Sequence, residues 1–259
     1  MDVLNDHDIQ GFLDLKADHY NNTTFIDSDP ILVPHMFTQK EDIEIAGLLT
    51  ATLAWGQRTT IIRNATRLTG MMPGGPHAFI TGHQPADRKP FLHFVHRTFN
   101  GLDCVWFLEA LQHMYNQHGG LEQVFTSGYR TEGTVFGALK KFRELFFTAG
   151  PAGRTSRHVP DVTANSAAKR LNMFLRWMVR RDQRGVDFGL WKEIPSSALM
   201  IPLDVHSGNT ARKLGLLHRR QNDWKAVEEL TGKLREFDRD DPVKYDYALF
   251  GLGVFEKFG

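Results

Sequence analysis

The chain has 259 residues, enough for one large domain or two small ones, and its 41% of hydrophobic residues can supply a sizeable core. A net charge of +1 argues against a protein that coats nucleic acid nonspecifically, and the single cysteine, Cys104, excludes an intramolecular disulfide framework and Cys clusters for zinc or iron–sulfur. The N-terminus carries acids where a secretory leader carries lysines, and no apolar run approaches the length of a bilayer, so a cytoplasmic protein is expected.

Helical periodicity dominates, and no segment alternates as a strand between hairpin turns, which predicts an all-α chain. "TQKEDIEIAGLLTATLAW" opens with a capping-box spacing, Thr38 to Glu41, and continues with Ile45, Leu48, Leu49 and Leu53 at helical intervals. Gly56 breaks this core helix from a second amphipathic one carrying Ile61, Ile62, Ala65 and Leu68. A turn-rich stretch, "PGGPHAFITGHQPADRKP", leads to helical segments around "FLHFVHRTF", "LDCVWFLEALQHMY" and "TVFGALKKFRELFF". Residues 148–166, "TAGPAGRTSRHVPDVTANS", lack periodicity and read as a long, mobile loop.

The next helix, "TANSAAKRLNMFLRWMVRR", divides its faces. Leu171, Phe174, Leu175 and Met178 form an apolar stripe, while Lys169, Met173, Arg176 and Arg180 fall opposite. From Lys169 to Arg184 there are six cations against one anion, Asp182, a net of +5. Such a ridge is either a solvated face or a phosphate-binding surface, and Trp177 beside it suits stacking on a base.

"IPLDVHSGNTARKLGLL", Ile201–Leu217, then places a carboxylate before a cationic helix. Asp204, or Ser207 if the helix begins later, is a natural N-cap; the same carboxylate is also free to do chemistry. The last block, "DDPVKYDYALFGLG", reads as a short helix with Asp241 as cap, Pro242 in the first turn and Gly251 as stop. His93 and His96 lie one turn apart without an evident third metal ligand, and Asp238, Asp240 and Asp241 read as turn and cap acids. No phosphate loop, dinucleotide fingerprint or nucleophile elbow is present, and neither a metal nor another cofactor is called for.

"PLDVHSGNTARKLGLL" resembles the V-D-x-H-V-x-R-x-x-x-R-L-G-L segment of the helix-hairpin-helix DNA glycosylases, the endonuclease III and adenine glycosylase superfamily, through Asp204, His206, Arg212 or Lys213, Leu214, Gly215 and Leu216. "LLTATLAWGQRTTIIRNATRL" is similar to that family's L-x-x-x-I-L-S-Q-Q-T helix pair, with Gln57 in place of the glutamine that enters the duplex. The L-P-G-V-G-x-K hairpin is absent, and "DQRGVDFGLWKEIPSSALM" lies between Lys169 and Asp204, an arrangement closest to the archaeal 8-oxoguanine glycosylases. The chain also looks like a bacterial family known only as a domain of unknown function, through "KRLNMFLRWMVR", "PLDVH" and "DPVKYDYALFGLG". The resemblance runs from about Glu41 to Gly253 and is weak between Pro73 and Pro160.

The resemblance implies one glycosylase-like domain over residues 1–259, made of two helical subdomains with a cleft between them. It implies base excision on DNA, most naturally of a flipped, oxidised purine. Lys169 would attack the sugar, its neutral amine favoured by Arg170, Arg176 and Arg180, with Lys192 as second candidate, and Asp204 would stabilise the developing charge. Gln57, with Trp55 or Arg58, would fill the gap left by the base; Arg176, Trp177, Arg180, His206 and Arg212 would meet the DNA. The rival readings are a non-catalytic binder of damaged or branched nucleic acid and a helical protein-interaction module.

Overall fold

Helices supply the regular structure in the computed structural model, which describes residues 5–148 and 153–258. Among the described residues there is no β-strand, only isolated bridges between His96 and Phe99 and between Ser166 and Asp223. The α-helices are α1 (Asp6–Tyr20), α2 (Lys40–Leu53), α3 (Arg58–Gly70), α4 (Pro76–Gly82), α5 (Gly101–His118), α6 (Leu121–Glu132), α7 (Val135–Phe146), α8 (Lys169–Val179), α9 (Val205–Lys213), α10 (Trp224–Phe237) and α11 (Tyr245–Val254). The chain divides into two compact units, one of residues Met1–Phe25 with Ala164–Gly259, the other of Ile26–Thr163. No helix among the described residues is long and apolar enough to cross a membrane.

The unit formed by Ile26–Thr163 is built around α2. Every residue of α2 from Ile43 to Leu53 is buried, including Glu44, whose Oε2 accepts from the Tyr115 hydroxyl at 2.7 Å. Its cap differs from the expectation: Gln39 is the N-cap and its side chain accepts no capping bond, so the Thr38–Glu41 pair is not a capping box. The first-turn acid Asp42 turns instead to α4, its Oδ1 accepting from the His77 amide at 2.7 Å. Asn100 and Asp103 form the capping box of α5. In the α6–α7 hairpin the Phe125 and Phe142 rings stack with centroids 4.6 Å apart.

The expected loop at 148–166 is more ordered than its composition suggests. Residues 149–152 lie outside the described residues, but Gly153–His158 form a 3-10 helix. It is pinned by the fully buried Asp103, which accepts from Thr155 Oγ1 at 2.9 Å and pairs with Arg154 at 3.1 Å and His158 at 3.3 Å. One buried carboxylate thus replaces the apolar periodicity that would have marked the segment.

In the other unit, α11 packs on α1 and α9. Gly251 lies inside α11 rather than ending it, because the helix passes so close to Tyr20 of α1 that a Cβ there would run into the ring. Gly253 plays the same part toward α9, where a Cβ would lie 3.0 Å from Thr210 Oγ1 and 3.1 Å from the His206 carbonyl oxygen. The apolar stripe of α8 is buried as expected, and so are Met173, Arg176 and Arg180 opposite it.

Candidate functional site

The cationic ridge of α8 is not a surface. Arg176 is 4% exposed and Arg180 2%. Arg176 Nε donates to Asp187 Oδ1 at 3.2 Å, its Nη1 pairs with Asp246, and its guanidinium lies 4.3 Å over the Tyr247 ring. Arg180 meets Asp241 at 3.0 Å, Asp182 at 2.7 Å and Asp187 at 3.0 Å. Two guanidiniums among four carboxylates form a closed network, since a buried charge must be compensated by neighbours. The expectation that Arg176 and Arg180 hold phosphates is therefore corrected, as is the stacking role of Trp177, whose side chain is fully buried. Burial opposes the charge on Arg180, but Asp187 and Asp241 outweigh it and hold the guanidinium protonated. The positive charge expected to act on Lys169 is thus largely spent on local acids, leaving Arg170, whose pKa burial pulls down to about 10.

Lys169 is the first residue of α8, behind Ala168, a non-glycine residue at φ +47 that offers no side-chain cap. The lysine is half-buried, with Nζ 3.7 Å from Met173 Sδ, and no carboxylate lies within ion-pair distance of it among the described residues. A cation at this end of a helix faces the positive pole of the dipole. Lys169 is therefore held without the acid partners that Arg176 and Arg180 have.

Asp204 is the N-cap of α9 and is half-buried. Its Oδ1 accepts from the Ser207 amide at 2.9 Å and the Ser207 hydroxyl at 3.2 Å, while its own amide donates to Ser207 Oγ at 3.0 Å. The capping role uses one oxygen; Oδ2 accepts no hydrogen bond from the described residues. Arg212 braces this corner: its Nη2 donates to Asn222 Oδ1 at 2.6 Å, and Asn222 Nδ2 donates to the Asp204 carbonyl at 2.9 Å. Gly208 leaves room for Asn222, and Gly215, at φ +73, closes the helix with Leu216 buried beyond it. The motif from Asp204 to Leu216 is thus one braced helix, and in it Arg212 supports the backbone. His206 is exposed on the first turn.

A residue without a role in the sequence reading joins these parts. Asp246, in the first turn of α11, is 6% exposed. Burial above all pushes its carboxyl up to about 6; Asp204 and Asp187 push the same way, and Arg176 and Lys169 oppose them. Lys169 and Asp204 therefore both act electrostatically on one buried acid. The signal was a lone acid in the otherwise apolar stretch "YDYALFGLG", a charge that must find a partner once the helix is buried.

Gln57, Trp55 and Arg58 belong to the other unit. Gln57 is exposed at the N-cap of α3, Arg58 begins the helix half-buried, and Trp55 is half-buried with its ring stacked on His158, centroids 5.7 Å apart. His96 is buried, its Nδ1 paired with Asn64 at 2.9 Å, whereas His93 is exposed, so the two do not form a ligand pair. Lys192 is exposed between Trp191 and Glu193.

The fold and the site define an all-helical chain with a half-buried lysine at one helix start and a braced aspartate at another. Residues 29–255 match the family model described as "Protein of unknown function (DUF2400)", and the chain belongs to that family. No curated protein and no solved structure matches the chain.

Proposed function

We propose that the chain is a DNA glycosylase/lyase that excises a flipped, damaged base, with an oxidised purine as first substrate. The support comes from two residues far apart in sequence but within one compact unit: Lys169, half-buried at the start of α8 with no carboxylate within ion-pair distance among the described residues, and Asp204, whose Oδ2 is left over by the cap of α9. In this reading the Lys169 amine bonds to the sugar C1′ as the C1′–N bond breaks. Its electrons leave with the base, which takes up the proton lost by the amine. Opening of the sugar ring at O4′ then gives an imine. The free Oδ2 of Asp204 stabilises the positive charge that builds on the sugar.

Borohydride tests this, because hydride delivered to the imine carbon leaves a permanent crosslink. On a panel of lesion-bearing duplexes the wild-type chain is expected to be trapped on at least one. Lys169→Gln is expected to abolish trapping while binding persists, and Asp204→Asn to slow it. Trapping lost only in Lys192→Gln moves the nucleophile. Absence of trapping and base release, with DNA binding retained, favours a non-catalytic binder; absence of binding favours a protein-interaction module.

A further inference from the structure

With Arg176 and Arg180 turned inward, the exposed positive charge has to be sought elsewhere. Residues 56–70, 95–99 and 153–158 contain no acid, and together they carry Arg58, Arg63, Arg67, Arg97, Arg154 and Arg157. All lie in the Ile26–Thr163 unit.

Three of these arginines converge on one tight turn. Residues 96 and 99 close it through reciprocal backbone bonds of 2.8 and 2.9 Å. Arg67 Nη2 donates to the Val95 carbonyl at 3.4 Å, with its guanidinium 4.8 Å over the Phe94 ring, and Arg154 Nη2 donates to the Thr98 carbonyl at 2.9 Å. Arg97, at the tip with φ +55, lays its guanidinium against Gly56, where a Cβ would lie 2.9 Å from Nη1. All three are exposed. No carboxylate lies within ion-pair distance of Arg67 or Arg97 among the described residues, and the acid that meets Arg154 is the buried Asp103. Beside the turn, Trp55 stacks on His158 and meets the edge of His96, ring centroids 5.2 Å apart.

We infer that Arg67, Arg97 and Arg154, gathered on the 95–98 turn with Trp55 beside them, form the surface that grips the phosphodiester backbone of DNA. Arg67, anchored by a carbonyl and an aromatic face, and Arg154, anchored by a carbonyl, lose little freedom on meeting a phosphate and keep donors to spare, and Arg97 stands between them at the tip of the turn. The choice of DNA rests on the glycosylase reading, but binding and excision are measured separately.

The test is fluorescence anisotropy with a labelled abasic-analogue duplex, without borohydride, across a salt series. Arg97→Asn suits the site because Asn tolerates the left-handed backbone. It is expected to reduce the salt slope by about one and to lower affinity about eightfold at 0.1 M salt, the factor a slope of about −0.9 gives between 1 M and 0.1 M. Arg67→Gln should act similarly, and Arg239→Gln, an exposed arginine of the other unit, should change nothing. Wild-type affinity and slope in both Arg97→Asn and Arg67→Gln overturn the inference, as does competition by polyglutamate as effective as that by DNA. An inability of the wild-type chain to bind DNA at low salt overturns it too. Weakened binding in these variants, combined with no trapping of the wild type, upholds the surface and removes the excision chemistry instead.

Discussion

The arginines of α8 and those of the 95–98 turn are the same residue put to opposite uses. Arg176 and Arg180 are enclosed by Asp182, Asp187, Asp241 and Asp246, while Arg67 and Arg97 keep their charge at the surface with no acid partner among the described residues. The density of cations along the chain points to α8, but what decides exposure is the presence of acids that come from elsewhere in the fold. A locally basic segment keeps its charge for a partner only where carboxylates from elsewhere in the fold do not enclose it.

The largest expected effect follows from the closed network. Arg176→Met leaves Asp187 and Asp246 buried with less compensation and should cost ~3–5 kcal/mol in urea unfolding. The double variant Arg176→Met with Asp246→Leu should recover most of that loss, since a well-packed apolar pair can replace a buried ion pair. A stable Arg176→Met with a reduced salt slope for DNA would return Arg176 to the surface role and erase the contrast.

Asp246 gives the next effect, and it depends on pH. Its folded pKa, raised to about 6 mainly by burial, means that the folded chain keeps a proton that the unfolded chain has already released above about pH 4. That stabilisation is complete below about pH 4 and is lost as pH rises through about 6, a swing of ~3 kcal/mol. Asn cannot titrate, so the cost of Asp246→Asn should be greatest near pH 4 and shrink by that amount by about pH 7, followed by thermal unfolding across buffers. A cost that grows with pH would show that Arg176 holds Asp246 ionised throughout.

Smaller effects separate packing from charge. Gly251→Ala drives a methyl into the Tyr20 ring and should cost ~1–3 kcal/mol, read by the same unfolding. Arg97→Asn should shift stability by less than about 0.5 kcal/mol, as exposed substitutions do, while weakening DNA binding.

Much of the fold was legible where periodicity alone decides it: Ile45, Leu48, Leu49 and Leu53 of α2 and the stripe of α8 are buried as their spacing requires. Asp204 was legible as a cap, because capping is local. What escaped was non-local. Arg180 meets Asp241 at a separation of 61 residues and Arg176 meets Asp246 at 70, and no pattern within either helix carries that information. Gly251 looked like a helix stop because Gly usually is one, and only the approach of Tyr20 explains a glycine inside α11. Residues 153–158 looked like loop because their order comes from Asp103, fifty residues upstream in α5.

The most direct test of the chemistry is to locate the covalent bond. The wild-type chain is incubated with a duplex that supports trapping, reduced with borohydride, digested, and the DNA-linked peptide identified by mass spectrometry. The account expects the crosslink on Lys169, at the start of α8. A crosslink on Lys192 or any other lysine, or no crosslinked peptide across the whole lesion panel, would contradict it.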